Sequence, residues 1–360
     1  MSKLSSLQRL ALAAIVLLTA LAGVADYDSW TAVVRFVLAT CALGGLAWVV
    51  SSATEQVGEH LGPAPTGMLQ STLGNLPELL VVIFALQKGE LLVAQTALVG
   101  SILANGLLVL GLVIVVGARR SSDGVMRFSR RLPNDTATLL QVTVFIIVLL
   151  GLSLASHDRA SHHVRTISAV GAGALLIVYL TWVTPYLRGG GTAEGSAEAA
   201  EPRSEDERGL PVGVAVAMLV IAGVASAFVS DWFIAALRPA IGTLHLSQAF
   251  AGLVIVAIAG NAVEHAAGVV LAARGRSDLA ISVVKNSVAQ IAAFLFPLLV
   301  LVSFALATTL TFALAPVYIG ALALGALAIW QVTGDGEAAQ FEGWALVALY
   351  VVLAVITAYE

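Results

Sequence analysis

Eleven long apolar runs make up almost the whole chain. They lie near residues 9–25, 30–52, 66–87, 91–118, 136–156, 164–187, 210–237, 247–273, 278–302, 311–331 and 343–359, each bounded by charges or by Gly and Pro clusters. A bilayer core is crossed by about 20 apolar residues in helical form. Inside it every backbone N–H and C=O must be paired within the chain, which a helix does and an open strand does not. Eleven such runs in 360 residues leave no length for a sizeable soluble domain. The expected fold is therefore an all-α polytopic membrane protein of about 11 transmembrane helices. Charge agrees: 11% of residues are charged and 59% apolar, where soluble domains carry roughly 25% charged residues. The net charge of -4, with basic residues scattered among short loops, excludes a nucleic-acid footprint. The lone Cys41 has no disulfide partner and reads as a small packing residue in an apolar run.

The first run, within residues 1–28, supports two readings. It is long enough to be the first transmembrane helix, and Lys3, Arg9 and the small residues Ala22-Gly23-Val24-Ala25 also fit a cleavable signal peptide. Basic residues orient the rest, because cytoplasmic loops carry an excess of Lys and Arg. Arg119, Arg120, Arg127, Arg130 and Arg131 lie between the fourth and fifth runs, and Arg274 and Arg276 between the eighth and ninth. An eleven-span count puts both loops and the N-terminus on the cytoplasmic side and the C-terminus outside. The expected location is the cell inner (plasma) membrane, with a homo-oligomer left open. Residues 188–209, with Gly189 to Gly191 followed by six acidic residues from Glu194 to Glu207, form an acidic cytoplasmic linker. It reads as a solvated connector or as an acidic patch that gathers cations.

The linker separates residues 29–187 from residues 210–360, and a shift of 186 residues aligns the polar positions of the two halves. Gly74, Asn75 and Glu78 fall on Gly260, Asn261 and Glu264; Lys88-Gly89 falls on Arg274-Gly275; Ser101 falls on Ser287. Each half holds five spans. An odd number forces the second copy to enter from the opposite side, so the expectation is one helix plus two inverted five-helix repeats. In secondary transporters built this way, substrate sites lie near the midplane where the repeats meet.

The polar residues of these spans define the chemistry. An ionised carboxylate at mid-depth costs several kcal/mol, so an intramembrane Glu marks an ion or proton path. Glu78 and Glu264 are such residues at matching positions, with Asn75 and Asn261 three positions before them on the same helix face. Ser101 and Asn105, and Ser287 and Gln290, add neutral oxygens on the next helix of each copy. Gly74 and Gly260 precede the asparagines, and Pro77 within the span frees a backbone carbonyl. Interhelical hydrogen bonding is the alternative role for the serines and amides, and a protonated, architectural pair is the alternative for the glutamates. Hard cations take oxygen ligands, Ca²⁺ six to eight of them. Two carboxylates are neutralised by one divalent cation or by two protons, so a site that moves only when neutral trades one for the other. No cofactor is called for; Ca²⁺ and H⁺ would be cargo. Three further residues touch selectivity or the proton path: His265, next to Glu264, and Lys285-Asn286, where the first copy has Val99-Gly100. Lys285 either snorkels toward the cytoplasmic interface or pairs with a glutamate and disfavours a divalent ion.

Gly74-Asn75-Leu76-Pro77-Glu78-Leu79, with Gln95 and Gly100-Ser101-Ile102-Leu103-Ala104-Asn105, resembles the first α-repeat of the calcium/proton exchangers of the cation/calcium exchanger superfamily. Gly260-Asn261-Ala262-Val263-Glu264-His265, Asp278 and Ser287-Val288-Ala289-Gln290-Ile291-Ala292 resemble the second, and Gly334-Asp335-Gly336 with Phe341-Glu342-Gly343 extend the likeness. The resemblance implies eleven helices and export of cytosolic Ca²⁺ against protons, with both glutamates binding cation and proton alternately. A sodium-coupled relative, whose repeats look more like Gly-Thr-Ser-x-Pro-Glu/Asp, is the nearest alternative, a monovalent-cation/proton exchanger another, and a cation channel the next. The departure from the pattern is Lys285-Asn286, where the family has an apolar residue and Gly.

Overall fold

A computed structural model describes residues 6–61, 73–187 and 211–360 of the chain. The acidic linker and the first part of the run at 66–87 lie outside these described residues. The helices are α1 (Ser6–Tyr27), α2 (Ala32–Leu61), α3 (Leu76–Gln87), α4 (Leu91–Ala118), α5 (Arg131–Ser156) and α6 (Val164–Leu187). They continue with α7 (Val212–Leu244), α8 (Gln248–Gly260), α9 (Ala262–Ala273), α10 (Ser277–Ser303), α11 (Pro316–Thr333) and α12 (Gln340–Ala358). Nine of these are long and apolar enough to cross a bilayer singly; α8 and α9 pass that test together, bent by 61°, and α3 is a shorter apolar helix. Every run read from the sequence thus contains helix. Three π-helical turns interrupt the α-helices, at Ala104–Val109, Ala251–Val256 and Ile291–Leu295.

One element departs from the all-α reading. Strand β1 (Val125–Arg127) pairs antiparallel with β2 (Glu337–Ala339), Val125 opposite Ala339 and Arg127 opposite Glu337. Both strands are three residues long and lie in loops, too short to show alternation. Cys41 departs as well: it is exposed on α2 rather than packed inside.

The chain divides into two compact units, each drawing on both halves of the sequence: Met1–Phe84, Trp182–Leu246 and Ala259–Val263 form one, and Ala85–Thr181, Ser247–Ile258 and Glu264–Glu360 the other. In the first, α2 packs along α7, with the Phe36 and Phe233 ring centroids 5.0 Å apart. Helix α1 lies on α2, and a Cβ at Gly45 would come within 2.8 Å of Ile15. Asp26 and Arg35 form an ion pair across the α1–α2 turn. The other face of α7 carries the exposed Ile221, Val224 and Phe228, an apolar stripe at helical spacing that suits lipid.

The second unit is built around α4, buried along most of its length. Lipid tails are as apolar as Leu, so helices associate in a membrane by close packing of small residues. Gly111 of α4 and Gly343 of α12 meet this way: a Cβ on either would lie 2.5 Å or 2.6 Å from the other's carbonyl oxygen. Gly100 likewise lets α4 lie against the backbone of the π turn at Leu253, where a Cβ would overlap main-chain atoms.

Polar contacts within this unit sort the loops into two sets. The α4–α5 loop, the α9–α10 turn and the α11–α12 loop are joined by the β1–β2 pair, by Ser129 N donating to Asp278 Oδ1 at 2.6 Å, and by the Arg120 guanidinium donating to the Ala273 carbonyl. The other set is joined by Gln95 Nε2 donating to the Ala313 carbonyl at 2.9 Å, Phe312 N donating to Ser168 Oγ at 3.1 Å, and Tyr318 donating to Glu360. Loops separated by an even number of apolar runs share a set, as single crossings from the fourth run onward would give.

Candidate cation and proton site

Both sequence motifs place a turn at the asparagine, directly before a helix. Gly74 and Asn75 form a turn before α3, and Asn261 is the turn between α8 and α9. The helix after the first turn begins at once, with Leu79 N donating to the Asn75 carbonyl at 2.9 Å. Glu78 and Glu264 therefore sit in the first turns of α3 and α9. A helix start has unpaired N–H groups and the positive end of the dipole, which favours a carboxylate there by about 0.3–1 kcal/mol, up to about 2 when partly buried. Discontinuous helices supply ion sites in transporters by the same means, their unwound carbonyls serving cations. Asn75 and Asn261 thus mark the breaks instead of sharing a continuous helix face with the glutamates. Pro77 lies in the first turn of α3, where proline is tolerated, so Gly74-Asn75 makes the break without it.

Local structure repeats at the 186-residue spacing. Helices α3 and α9 both hold 12 residues and begin 186 positions apart. Gly89 and Gly275 close them with φ of 80° and 79°. One π turn begins at Ala104 and another at Ile291, the counterpart of Asn105. π turns are often found at functional sites, and the spacing of apolar residues gave no sign of them.

In the first unit, Glu78 is 1% exposed and Asn75 is 3% exposed. The backbone at Gly260 passes close by, since a Cβ there would lie 3.7 Å from Glu78 Cβ. Asn261 is buried in the same unit.

In the second unit, Glu264 is half-buried and its Oε2 accepts a 2.6 Å hydrogen bond from Ser287 Oγ. Ser287 can reach it because α9 packs on the Ala280, Val284 and Ser287 face of α10: a Cβ at Gly268 would meet Val284 at 2.9 Å. Ser101 and Asn105 are fully buried on α4, Asn105 Nδ2 donating to the Ser101 carbonyl at 3.0 Å. Asn105 Oδ1, in the π turn, is buried without a hydrogen-bond partner among the described residues. Gln290 is half-buried at the last α-helical position before the π turn at Ile291–Leu295. Of the predicted set, the structure joins Glu264 with Ser287, Ser101 with Asn105, and Gly260 with Glu78.

Lys285 meets neither expectation. It is 1% exposed, so it does not snorkel to water, and its Nζ donates to Thr333 Oγ1 at 3.2 Å. On a helix of 3.6 residues per turn it points about 160° away from Ser287, and no carboxylate pairs with it among the described residues. Thr333 ends α11, whose last carbonyls and negative dipole end favour an ammonium group. The only sequence sign of this partner was a polar residue at the close of an apolar run. Asn286 is half-buried with Oδ1 unpartnered among the described residues, and so is the half-buried His265 at Nε2.

Two oxygen-rich helix breaks repeated along a polytopic chain are a transporter's architecture, and likeness to known proteins agrees. The model of the sodium/calcium exchanger protein family matches residues 31–185 and 214–359. The chain belongs to this family. The exchanger is 31% identical over 334 residues to a vacuolar calcium ion transporter of Schizosaccharomyces pombe, covering 92% of this chain and 80% of that protein. It is 30% identical over 346 residues to a Ca²⁺/H⁺ antiporter of Synechocystis, covering 92% of each. The solved structure of native YfkE has the same fold, with a TM-score of 0.80 at 24% identity, covering 97% of this chain and 100% of that one. The exchanger is therefore a multi-pass membrane protein and a secondary transporter, not an enzyme.

Proposed function

We propose that the exchanger moves cytosolic Ca²⁺ outward against protons by alternating access, with Glu78 and Glu264 as the groups that bind cation and proton in turn. The observation that carries this reading is the recurrence of one device in both halves: a carboxylate in the first turn of a half-helix, three residues past an Asn break. Such a carboxylate is stabilised as an anion by the helix start, yet its burial makes the empty charged state costly to move through a low dielectric. A cation or protons relieve that cost, so the site exchanges one for the other. The names of the relatives, a calcium ion transporter and a Ca²⁺/H⁺ antiporter, support calcium and proton as the pair.

Asn75, Asn261, Gly74 and Gly260 supply oxygens or open backbone at the breaks, and Ser101, Asn105, Ser287 and Gln290 add neutral ligands from α4 and α10. The chain lies in the plasma membrane with its N-terminus cytoplasmic and its C-terminus outside, because the loop set containing Arg119, Arg120, Arg127, Arg130, Arg131, Arg274 and Arg276 is the basic one. Inside-out vesicles with an imposed proton gradient test the coupling. Ca²⁺ uptake should require the gradient; uptake that survives its collapse and depends on a sodium gradient would contradict proton coupling.

A further inference from the structure

Between α10 and α11 the second unit holds a segment that is neither helix nor strand, and part of it is buried. Leu310, Phe312 and Leu314 are 0%, 0% and 6% exposed, and Thr311 and Ala313 between them are half-buried. Irregular backbone at membrane depth is tolerated only inside protein or along a cavity, because its N–H and C=O groups must still be paired. Here polar side chains from three helices pair them. Ser303 Oγ, at the end of α10, accepts from Leu310 N at 2.9 Å and donates to the Val300 carbonyl at 2.7 Å. Ser168 Oγ of α6 accepts from Phe312 N at 3.1 Å, and Gln95 Nε2 of α4 donates to the Ala313 carbonyl at 2.9 Å.

The same helices give the depth of the segment. Gln95 and Ser168 each lie four residues past the start of their helix, about 6 Å along its axis. The Phe312 ring packs on Phe296 with centroids 5.0 Å apart, and Phe296 is seven residues before the end of α10, about 10 Å. A Cβ at Gly171 of α6 would lie 3.6 Å from the Phe312 ring. The segment therefore dips into the unit from the end where α4 and α6 begin and α10 stops, the outer end in the orientation proposed above. Ser101 lies six residues past Gln95, and Gln290 six residues before Phe296. The segment thus touches both α4 and α10 about 9 Å outward of their neutral oxygens.

We infer that Leu310–Leu314 is a dry outer seal over the α4 and α10 oxygens, and that Gln95 is the positioning residue that latches it. The inference rests on the reading of those oxygens as part of the ion path. An antiporter keeps its two fluxes coupled only while protons cannot run past the site through water. Buried water needs two to four polar partners, and the side chains of Leu310, Phe312 and Leu314 offer it none. Gln95 belongs to the first sequence motif, yet the cation site makes no use of it. Its amide instead ties the seal to α4, the helix that carries Ser101 and Asn105.

The test probes the seal directly and then its effect on coupling, both in the full chain. With Cys41 replaced by Ser, Leu310→Cys puts a thiol into the seal, and a membrane-impermeant maleimide is applied to the outer face of intact cells. The thiol should be protected, and adding Gln95→Leu should raise its labelling rate about fivefold, as loss of one buried hydrogen bond gives. In proteoliposomes without Ca²⁺, Gln95→Leu should collapse an imposed proton gradient faster than the parent by a similar factor, at equal folded protein by size-exclusion chromatography. Lost stability alone does not open such a leak. Ser168→Ala should leak in the same way, and Ser168→Thr, which keeps the hydroxyl, should not. Labelling equally fast with and without Gln95 overturns the inference, as does a Gln95→Leu or Ser168→Ala protein as tight to protons as the parent. Glu78→Gln and Glu264→Gln, measured in parallel, separate the two failures. Full Ca²⁺ transport by both removes the reading of the site and leaves the labelling result standing. Inactive glutamine variants beside a tight Gln95→Leu protein remove only the seal.

Discussion

The two motif hairpins, α3 with the start of α4 and α9 with the start of α10, share a plan and differ in finish. Both break at Asn, place a Glu in the first turn and close on a glycine with positive φ. In the first copy Glu78 is sealed from solvent, and Gly100 lets α4 touch the Leu253 backbone. In the second copy Glu264 is half-buried and held by Ser287, and the position of Gly100 is taken by Asn286 with an unpartnered Oδ1. The shared parts are those the chemistry requires of each carboxylate. The unshared parts are local packing, so substitutions at matching positions should have unequal effects.

The glutamates come first. Replacing Glu78 or Glu264 with Gln should each lower proton-driven Ca²⁺ transport by about 100-fold or more, with the folded protein still present by size-exclusion chromatography. A copy that tolerates Gln would show that the likeness between the hairpins is structural only. The matched pair Gly100→Ala and Asn286→Ala should separate next, in thermal unfolding of the purified protein. The first forces a methyl into main-chain atoms and should cost about 3 kcal/mol; the second removes a buried amide oxygen and should stay within about 1 kcal/mol of the parent.

Ser287→Ala removes the hydrogen bond to the Glu264 carboxylate. Bonds to charged groups are worth about 1.5–3 kcal/mol, so apparent Ca²⁺ affinity in transport assays should weaken by about tenfold. Lys285 gives a smaller effect, in stability. Thr333→Val leaves a buried ammonium without its described partner and should lower the melting temperature, by about 1–3 kcal/mol of stability, whereas Lys285→Met should match or exceed the parent, as apolar replacements of buried charges often do.

The smallest effect lies outside the membrane. The Arg127 hydrogen bond holds the exposed Asp123 carboxyl below its ordinary value of 3.8. A depressed carboxylate stabilises the fold above the unfolded value, and the contribution is lost as pH falls through the folded value. Asp123→Asn should therefore leave the pH profile of transport near neutrality unchanged.

Much of this was legible in the sequence, for physical reasons that differ by feature. Spans show because a bilayer tolerates so few polar residues, and the 186-residue repeat shows because the exceptions recur. The break at Asn75 and Asn261 was visible as a motif, but its geometry was not: the spacing of Asn and Glu suggested one helix face, and only the turn shows that the amide precedes a new helix. Lys285 was noticed as a departure, yet its partner Thr333 lies 48 residues away on another helix. The β1–β2 pair and the π turns leave no periodic trace, since they follow from how helices and loops pack.

Calorimetry of Ca²⁺ binding to the purified exchanger, in buffers of different ionisation enthalpy, tests most directly whether cation and proton share the same carboxylates. Binding near neutral pH should release protons, and both Glu78→Gln and Glu264→Gln should lose that release together with the binding heat. Ca²⁺ binding without proton release in the parent, or an undiminished release in either variant, would contradict the account.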